Sequence, residues 1–106
     1  MEIKSEIIND VPILKITGRV VSTNSLEFIK QLKTLAKHDA PKIVLDLQET
    51  SFLDSASVGI ICAAHMDRHT SGKRLEIMID ASPDHFIASL FETTGLSGVL
   101  NITRIS

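Results

Sequence analysis

The sequence predicts an α/β domain: a mixed sheet of four or five strands, opened by an N-terminal hairpin and flanked by helices. Three observations predict it. Two strand-like runs near the start, "EIKSEII" and "PILKIT", are joined by the turn residues Asn9 and Asp10, the mark of a hairpin. Helix-spaced apolar stripes then alternate with further strand-like runs, the order that parallel crossovers produce. Finally, the chain has 106 residues, which suits a single domain over 1–106 that buries roughly two thirds of its unfolded surface.

The elements follow in order. Gly18 ends the second strand. "STNSLEFIKQLKTLAKH" reads as a helix, with Asn24 and Glu27 spaced as a capping box. Phe28, Ile29, Leu32, Leu35 and Ala36 make its apolar stripe, and Lys30, Lys33 and Lys37 face away. After Pro41, "KIVLDL" is apolar nearly throughout, as a central strand covered on both faces would be. Beyond Asp54, Val58, Ile61, Cys62 and Met66 recur at helical spacing, and Gly72 offers a stop. "RLEIMID" alternates as a strand. Ser82, Pro83 and Asp84 combine a capping hydroxyl, a first-turn proline and a first-turn acid, predicting a helix start. Phe86, Ile87, Leu90 and Phe91 supply that helix's apolar face, Gly95 closes it, and "LNITRI" adds an edge strand.

Composition excludes several classes. Eleven Lys+Arg stand against 13 Asp+Glu, for a net charge of −2, with no Trp or Tyr. A nucleic-acid partner is therefore not expected. Cys62 is the only cysteine, so no internal disulfide forms, in keeping with a reducing compartment. The stretch "MEIKSEIINDV" lacks the pattern of a signal peptide. No apolar run approaches the ~20 residues of a membrane span. The expectation is a cytoplasmic domain without a membrane span, and no cofactor motif is present.

The segment "SFLDSASVGIICAAH" carries the chemistry candidates. Asp54, Ser55 and Ser57 fall where a strand hands over to a helix, whose first N–H groups lack internal partners. A serine oxygen near Ser55 can cap one of them. "SASVG" is also close to the G-x-S-x-G nucleophile elbow. Ser57, Asp80 and His85 follow the hydrolase order of nucleophile, acid and base. The first glycine of the elbow is missing, however, and hydrolase sheets need a longer chain. His65 and His69 stand four apart, a metal-compatible spacing, but Met66 occupies the position of the zincin glutamate and no third ligand is evident. "TSGKR" lacks the upstream glycine and the hydroxyl residue of a phosphate loop. Asp46 and Glu49 read as a polar sheet end, and Cys62 as part of the core.

The stretch "KIVLDLQETSFLDSASVGIICAAHMDRHTSGKRLEIM" resembles the STAS domain of bacterial anti-sigma factor antagonists. The likeness runs through an apolar strand ending in acid, the junction motif D-S-[ST]-G-[LI]-G, a helix, a glycine and a strand. "ILKITGRVVSTNSLEF" is similar to the family's G-x-[LI]-D-x-x-[TN] segment, and "LFETTGLSGVLNI" to its C-terminal helix and turn. The resemblance implies a non-enzymatic switch. The serine after the junction aspartate is phosphorylated there, which carries over to Ser55 beside Asp54. It implies, as partners, an anti-sigma factor with protein kinase activity and a serine phosphatase. Ala56, Ser57 and Val58 depart from the motif, Gly59 keeps it, and Val21 stands where many members carry an acid. Ser57 is a second candidate acceptor. The docking face is expected to combine Asp54–Gly59 and the exposed side of the following helix with the turn formed by Val20, Val21, Ser22, Thr23 and Asn24. The alternatives are a STAS-like subunit of a transporter or signalling assembly without a sigma factor and, less favoured, a small serine hydrolase.

Overall fold

The computed structural model describes residues 1–82 and 84–105. Strands β1 (Glu2–Ile8) and β2 (Val11–Val20) form an antiparallel hairpin. Asn9 and Asp10 both take positive φ, 50° and 66°, as a two-residue loop with the right twist requires. Helix α1 (Ser25–Ala36), strand β3 (Lys42–Leu53), helix α2 (Ser55–Thr70), strand β4 (Arg74–Asp80), helix α3 (Phe86–Thr93) and strand β5 (Asn101–Ile105) follow. The sheet order is β1-β2-β3-β4-β5, parallel from β2 onward.

One face of the sheet makes the core. Leu14, Leu45, Ile77 and Ile102 lie in register across four strands. They join one apolar cluster with Phe28 and Leu32 of α1, Ile61 of α2 and Phe91 of α3. The alternate row, Lys15, Asp46, Met78 and Thr103, is half-buried and largely polar. The expectation that β3 is covered on both faces is therefore corrected. Its inward set Ile43, Leu45 and Leu47 is sealed, while Asp46 and Gln48 stand on the other side.

The strands run further than their apolar stretches. Gly18 lies inside β2 rather than at its end, with φ 96°. The β2–β3 register shifts on either side of it, between Lys15 and Thr17 and between Gly18 and Arg19. Such irregularities leave a backbone group unpaired. The buried Thr50 hydroxyl meets that need by donating to the Ile16 carbonyl at 2.8 Å. β3 therefore continues through "QETS" to Leu53, directly before Asp54.

Two helix starts also differ from expectation. Asn24 flanks α1 but makes no side-chain cap. Its Oδ1 accepts from the Val21 amide at 2.9 Å and its Nδ2 donates to the Arg19 carbonyl at 3.0 Å, so the side chain closes the β2–α1 turn instead. Glu27 accepts from Gln31, not from the cap. α3 begins at Phe86 behind His85. The Asp80 carboxylate takes the Ser82 amide at 2.7 Å, and Ser82 O accepts from the His85 amide. Ser82 is thus engaged in this turn instead of capping the helix. Pro83, expected at the first helical position, lies outside the described residues.

Of the stripe expected on α2, Ile61 is buried and Val58 and Cys62 pack half-buried against the core, but Met66 does not join them. Met66 is 54% exposed, whereas Ser57, Ile61, Ala64, His65 and Arg68 point inward. Arg68 is 2% exposed, and among the described residues it bonds only to carbonyl groups. Its guanidinium donates to His38 O at 2.6 Å, Ala40 O at 2.7 Å and Arg74 O at 3.2 Å. One side chain thus ties the end of α1, the approach to β3 and the start of β4. Burial lowers the Arg68 pKa, yet guanidinium remains charged in proteins. α2 then ends in a Schellman turn. The Lys73 amide donates to Arg68 O and the Gly72 amide to His69 O, with Gly72 at φ 71°.

Arg68→Met is expected to cost about 3 kcal/mol of unfolding free energy in urea melts, because several buried carbonyls lose their donors together. Arg68→Lys should recover little of it, since an ammonium cannot reproduce the planar fork.

Candidate functional site

The carboxyl ends of β2 and β3 bring two separate chain segments together. The Asp54 amide donates to the Val20 carbonyl at 3.0 Å, fixing the β3–α2 junction against the β2–α1 turn. Asp54 itself is extended, with φ −78° and ψ 170°, the usual conformation of a residue that caps a helix. Its Oδ1 accepts from the Ser57 amide at 2.9 Å, and its carbonyl accepts from the Val58 amide at 3.1 Å. The cap is therefore the aspartate, which corrects the expectation of a serine oxygen near Ser55. Ser55 is released from that duty and stands exposed at the first position of α2.

The neighbouring residues divide sharply by exposure. Ser55, Ala56 and Gly59 are exposed, and so are Ser22 and Thr23. Val21, Asn24 and Val58 are half-buried. Val20 and Ser57 are sealed at 0%, so neither side chain can reach a partner. Among the described residues the Ser57 hydroxyl makes no well-aligned hydrogen bond, although it lies close enough to the Asp54 carboxylate to stabilise its charge. A hydroxyl in that position cannot attack a substrate, so the hydrolase order of Ser57, Asp80 and His85 does not form a nucleophilic site. His65 is buried and stacks on exposed His69 at 6.1 Å. Among the described residues no group of metal-binding side chains is assembled. No helix among them is long and apolar enough to cross a membrane.

Electrostatics at the junction favour an anion at Asp54. Partial burial pushes its pKa up. The hydroxyl and amide of Ser57 and the hydroxyl of Ser25 push it down more strongly, and it ends below the ordinary aspartate value. Ser55 is next to this fixed negative charge and also at the positive end of a helix of 16 residues. By contrast, burial raises the Cys62 thiol pKa, which keeps it protonated and poorly nucleophilic.

Three residues at this end of the sheet were not expected in the site: Arg19 and Phe52 were not singled out, and Phe86 was expected on the apolar face of α3. Phe52 and Phe86 stack with centroids 5.2 Å apart at 23°, and the Arg19 guanidinium sits 5.0 Å from the Phe52 ring. Phe86 is 41% exposed. Arg and aromatic side chains gathered in this way match the usual anchors of protein interfaces. The available signal was the pairing of Arg19 with Phe52 across β2 and β3. That register depends on the two bulges, which the residue pattern does not reveal.

Gly59 adds an unexplained cost. It lies in the second turn of α2, where glycine destabilises a helix by ~1 kcal/mol relative to alanine. A Cβ there would meet nothing within 4 Å, so packing does not require the glycine.

Comparison with known proteins shows the same architecture. A family model described as "Mlab, STAS domain" matches residues 6–102. The anti-sigma factor antagonist SpoIIAA, in its unphosphorylated form, superposes with a TM-score of 0.76 at 15% identity, covering 99% of this chain and 89% of that one. An anti-sigma factor antagonist from Mycobacterium paratuberculosis gives 0.80 at 15% identity, covering 95% and 83%. SpoIIAA from Bacillus in its phosphorylated form gives 0.71 at 14% identity, covering 99% and 92%.

Two outcomes are expected at this site. The Asp54 pKa is lower in the folded state, so its stabilisation is complete above the ordinary aspartate range and is lost as pH falls through that range toward the folded pKa. In urea melts across that window, Asp54→Asn, which keeps a capping side chain, should show a shallower acid loss than wild type. Asp54→Ala should lose a further ~1 kcal/mol with the cap. Separately, Gly59→Ala should raise stability by ~1 kcal/mol in thermal melts.

Proposed function

The chain belongs to the STAS-domain family, and from that premise we propose that it is an anti-sigma factor antagonist switched by phosphorylation of Ser55. The supporting observation is the exposed Ser55 hydroxyl at the start of α2, beside a cap that does not use it. In this reading the unmodified domain docks on an anti-sigma factor that is also a protein kinase. Phosphorylated Ser55 no longer docks, and a serine phosphatase resets it. The domain acts as a binding module in the cytoplasm, without a catalytic role.

The physics of the switch follows from the site. Phosphate brings about −1.5 to −2 charge. At the tip of α2 the free N–H groups and the dipole tolerate it, so the scaffold persists. Together with Asp54, the modified serine makes a concentrated anionic patch. A partner surface fitted to a neutral hydroxyl meets repulsion and the much larger desolvation cost of the phosphate. The docking surface comprises Ser55, Ala56 and Gly59 on α2, Ser22 and Thr23 on the adjacent turn, and the Arg19–Phe52–Phe86 cluster. The bare helix surface at Gly59 allows a partner backbone to approach closely. Ser57 is not the acceptor in this reading, because its hydroxyl is sealed.

A second reading keeps the fold and changes the assembly: a subunit of a transporter or signalling complex without a sigma factor. The match to the family model described as "Mlab, STAS domain" favours it, as does Val21 in place of the acid that the family resemblance implies. Both readings use the same docking end and differ in whether Ser55 is modified.

Incubation with candidate kinases and ATP, followed by mass spectrometry, should place a single phosphate on Ser55, unchanged in Ser57→Ala and absent in Ser55→Ala. Ser55→Asp should bind the kinase partner at least tenfold more weakly than Ser55→Ala, roughly 1.4 kcal/mol or more. Equal affinity of these two variants would sink the switch.

A further inference from the structure

A recess lies between α1 and α2, toward the far end of α2 from Ser55. Arg68, on its wall, stands thirteen residues beyond Ser55, about 20 Å along the helix axis. The recess has a volume of about 510 Å³, within the range of small-molecule sites. Ala36, Ile60, Ala63 and Ala64 give it an apolar floor, and Lys33, Lys37 and Lys73 stand around it.

Its charge sets it apart. Lys33, Lys37, Arg68 and Lys73 against Asp67 make the lining +3, while the whole chain is −2, so everything else sums to −5. Among the described residues, Lys33 and Lys37 make no ion pair, and Lys73 reaches only the exposed Asp39 at 3.6 Å. Arg68 meets carbonyl oxygens but no carboxylate. Lys33 and Lys37 are also four apart on one helix, a like-charge spacing that disfavours α1. The end of the α1 dipole offsets part of that. Lys73, directly past the end of α2, is favoured by that helix's dipole in the same way, but neither dipole accounts for the apolar floor between the cations.

We propose that this recess binds a soluble phosphorylated small molecule, its phosphate held by Lys33, Lys37 and Lys73 and its apolar portion resting on Ala36, Ile60 and Ala63. Lysines bind phosphate as point charges, and three of them around one recess suit a multiply charged anion. The site is concave, which fits a free ligand better than the surface of a bilayer. It is independent of Ser55 and of the partner proposed above.

The test is a titration of the full chain, followed by amide NMR, with pyrophosphate, with phenyl phosphate and with anionic phosphatidylglycerol vesicles. Pyrophosphate and phenyl phosphate should both shift the amides of Ala36, Ala63 and Asp67, and the shifts should weaken with salt. Lys33→Gln/Lys37→Gln should weaken both by about tenfold, with no loss of melting temperature and unchanged Ser55 phosphorylation. Lys30→Gln, on the same helix but outside the recess, should bind as wild type does. Absence of shifts at millimolar ligand, equal weakening in Lys30→Gln, or binding to vesicles alone would each overturn the proposal.

Discussion

Asp54 bonds in two directions at once. Its amide reaches the Val20 carbonyl at the end of β2, and its carboxylate takes the Ser57 amide in the first turn of α2. The first bond holds the β3–α2 junction against the β2–α1 turn. The second fixes where α2 begins, and therefore which of its residues face inward. With Asp54 as the cap, Ser57, Ile61, Ala64, His65 and Arg68 fall on the buried side, while Ser55, Ala56, Gly59 and Met66 are left outside. A shift of one residue would rotate the helix by about 100° and turn Ser57 out of its sealed position.

The same rotation places Arg68 inside. A buried guanidinium is tolerable only when its donors are satisfied, and the carbonyls of His38, Ala40 and Arg74 do this without any carboxylate. The two ends of α2 are therefore anchored by different chemistry. Near Ser55 a short side chain caps free amides, and a negative charge sits at the positive end of the helix. Near Arg68 a long side chain gathers free carbonyls, and a positive charge sits where the helix dipole is negative. Both arrangements follow from the partial charges at helix ends, and together they hold α2 rigidly on β3 and β4.

Rigidity suits a surface that is read without being remodelled. The core beneath α2 is one continuous apolar cluster drawn from all three helices and one face of the sheet. In the proposed switch, charge would be added at an exposed helix tip that is polarised to accept an anion, above a continuous apolar core. The Arg19–Phe52–Phe86 cluster lies at the same end of the sheet, on strands whose positions are set by the β2–β3 register.

Much of this was legible in the residues themselves. The hairpin needed only Asn9 and Asp10 between two strand-like runs, because positive φ is a local property of those residue types. The core helices, the alternation of β4, the stops at Gly72 and Gly95, and the importance of the Asp54 junction were also local. Tertiary structure decided what depends on partners distant in sequence. Asn24 turned back to Val21 and Arg19 rather than capping α1, and β2 ran through Gly18 because Thr50 satisfied Ile16 across the sheet. Arg68 and Met66 exchanged the sides that their polarity suggests, because three carbonyls from separate segments converge where the arginine lies. The sequence carries the propensity of each segment, but which side chain finds a partner in the interior is settled only when the segments meet.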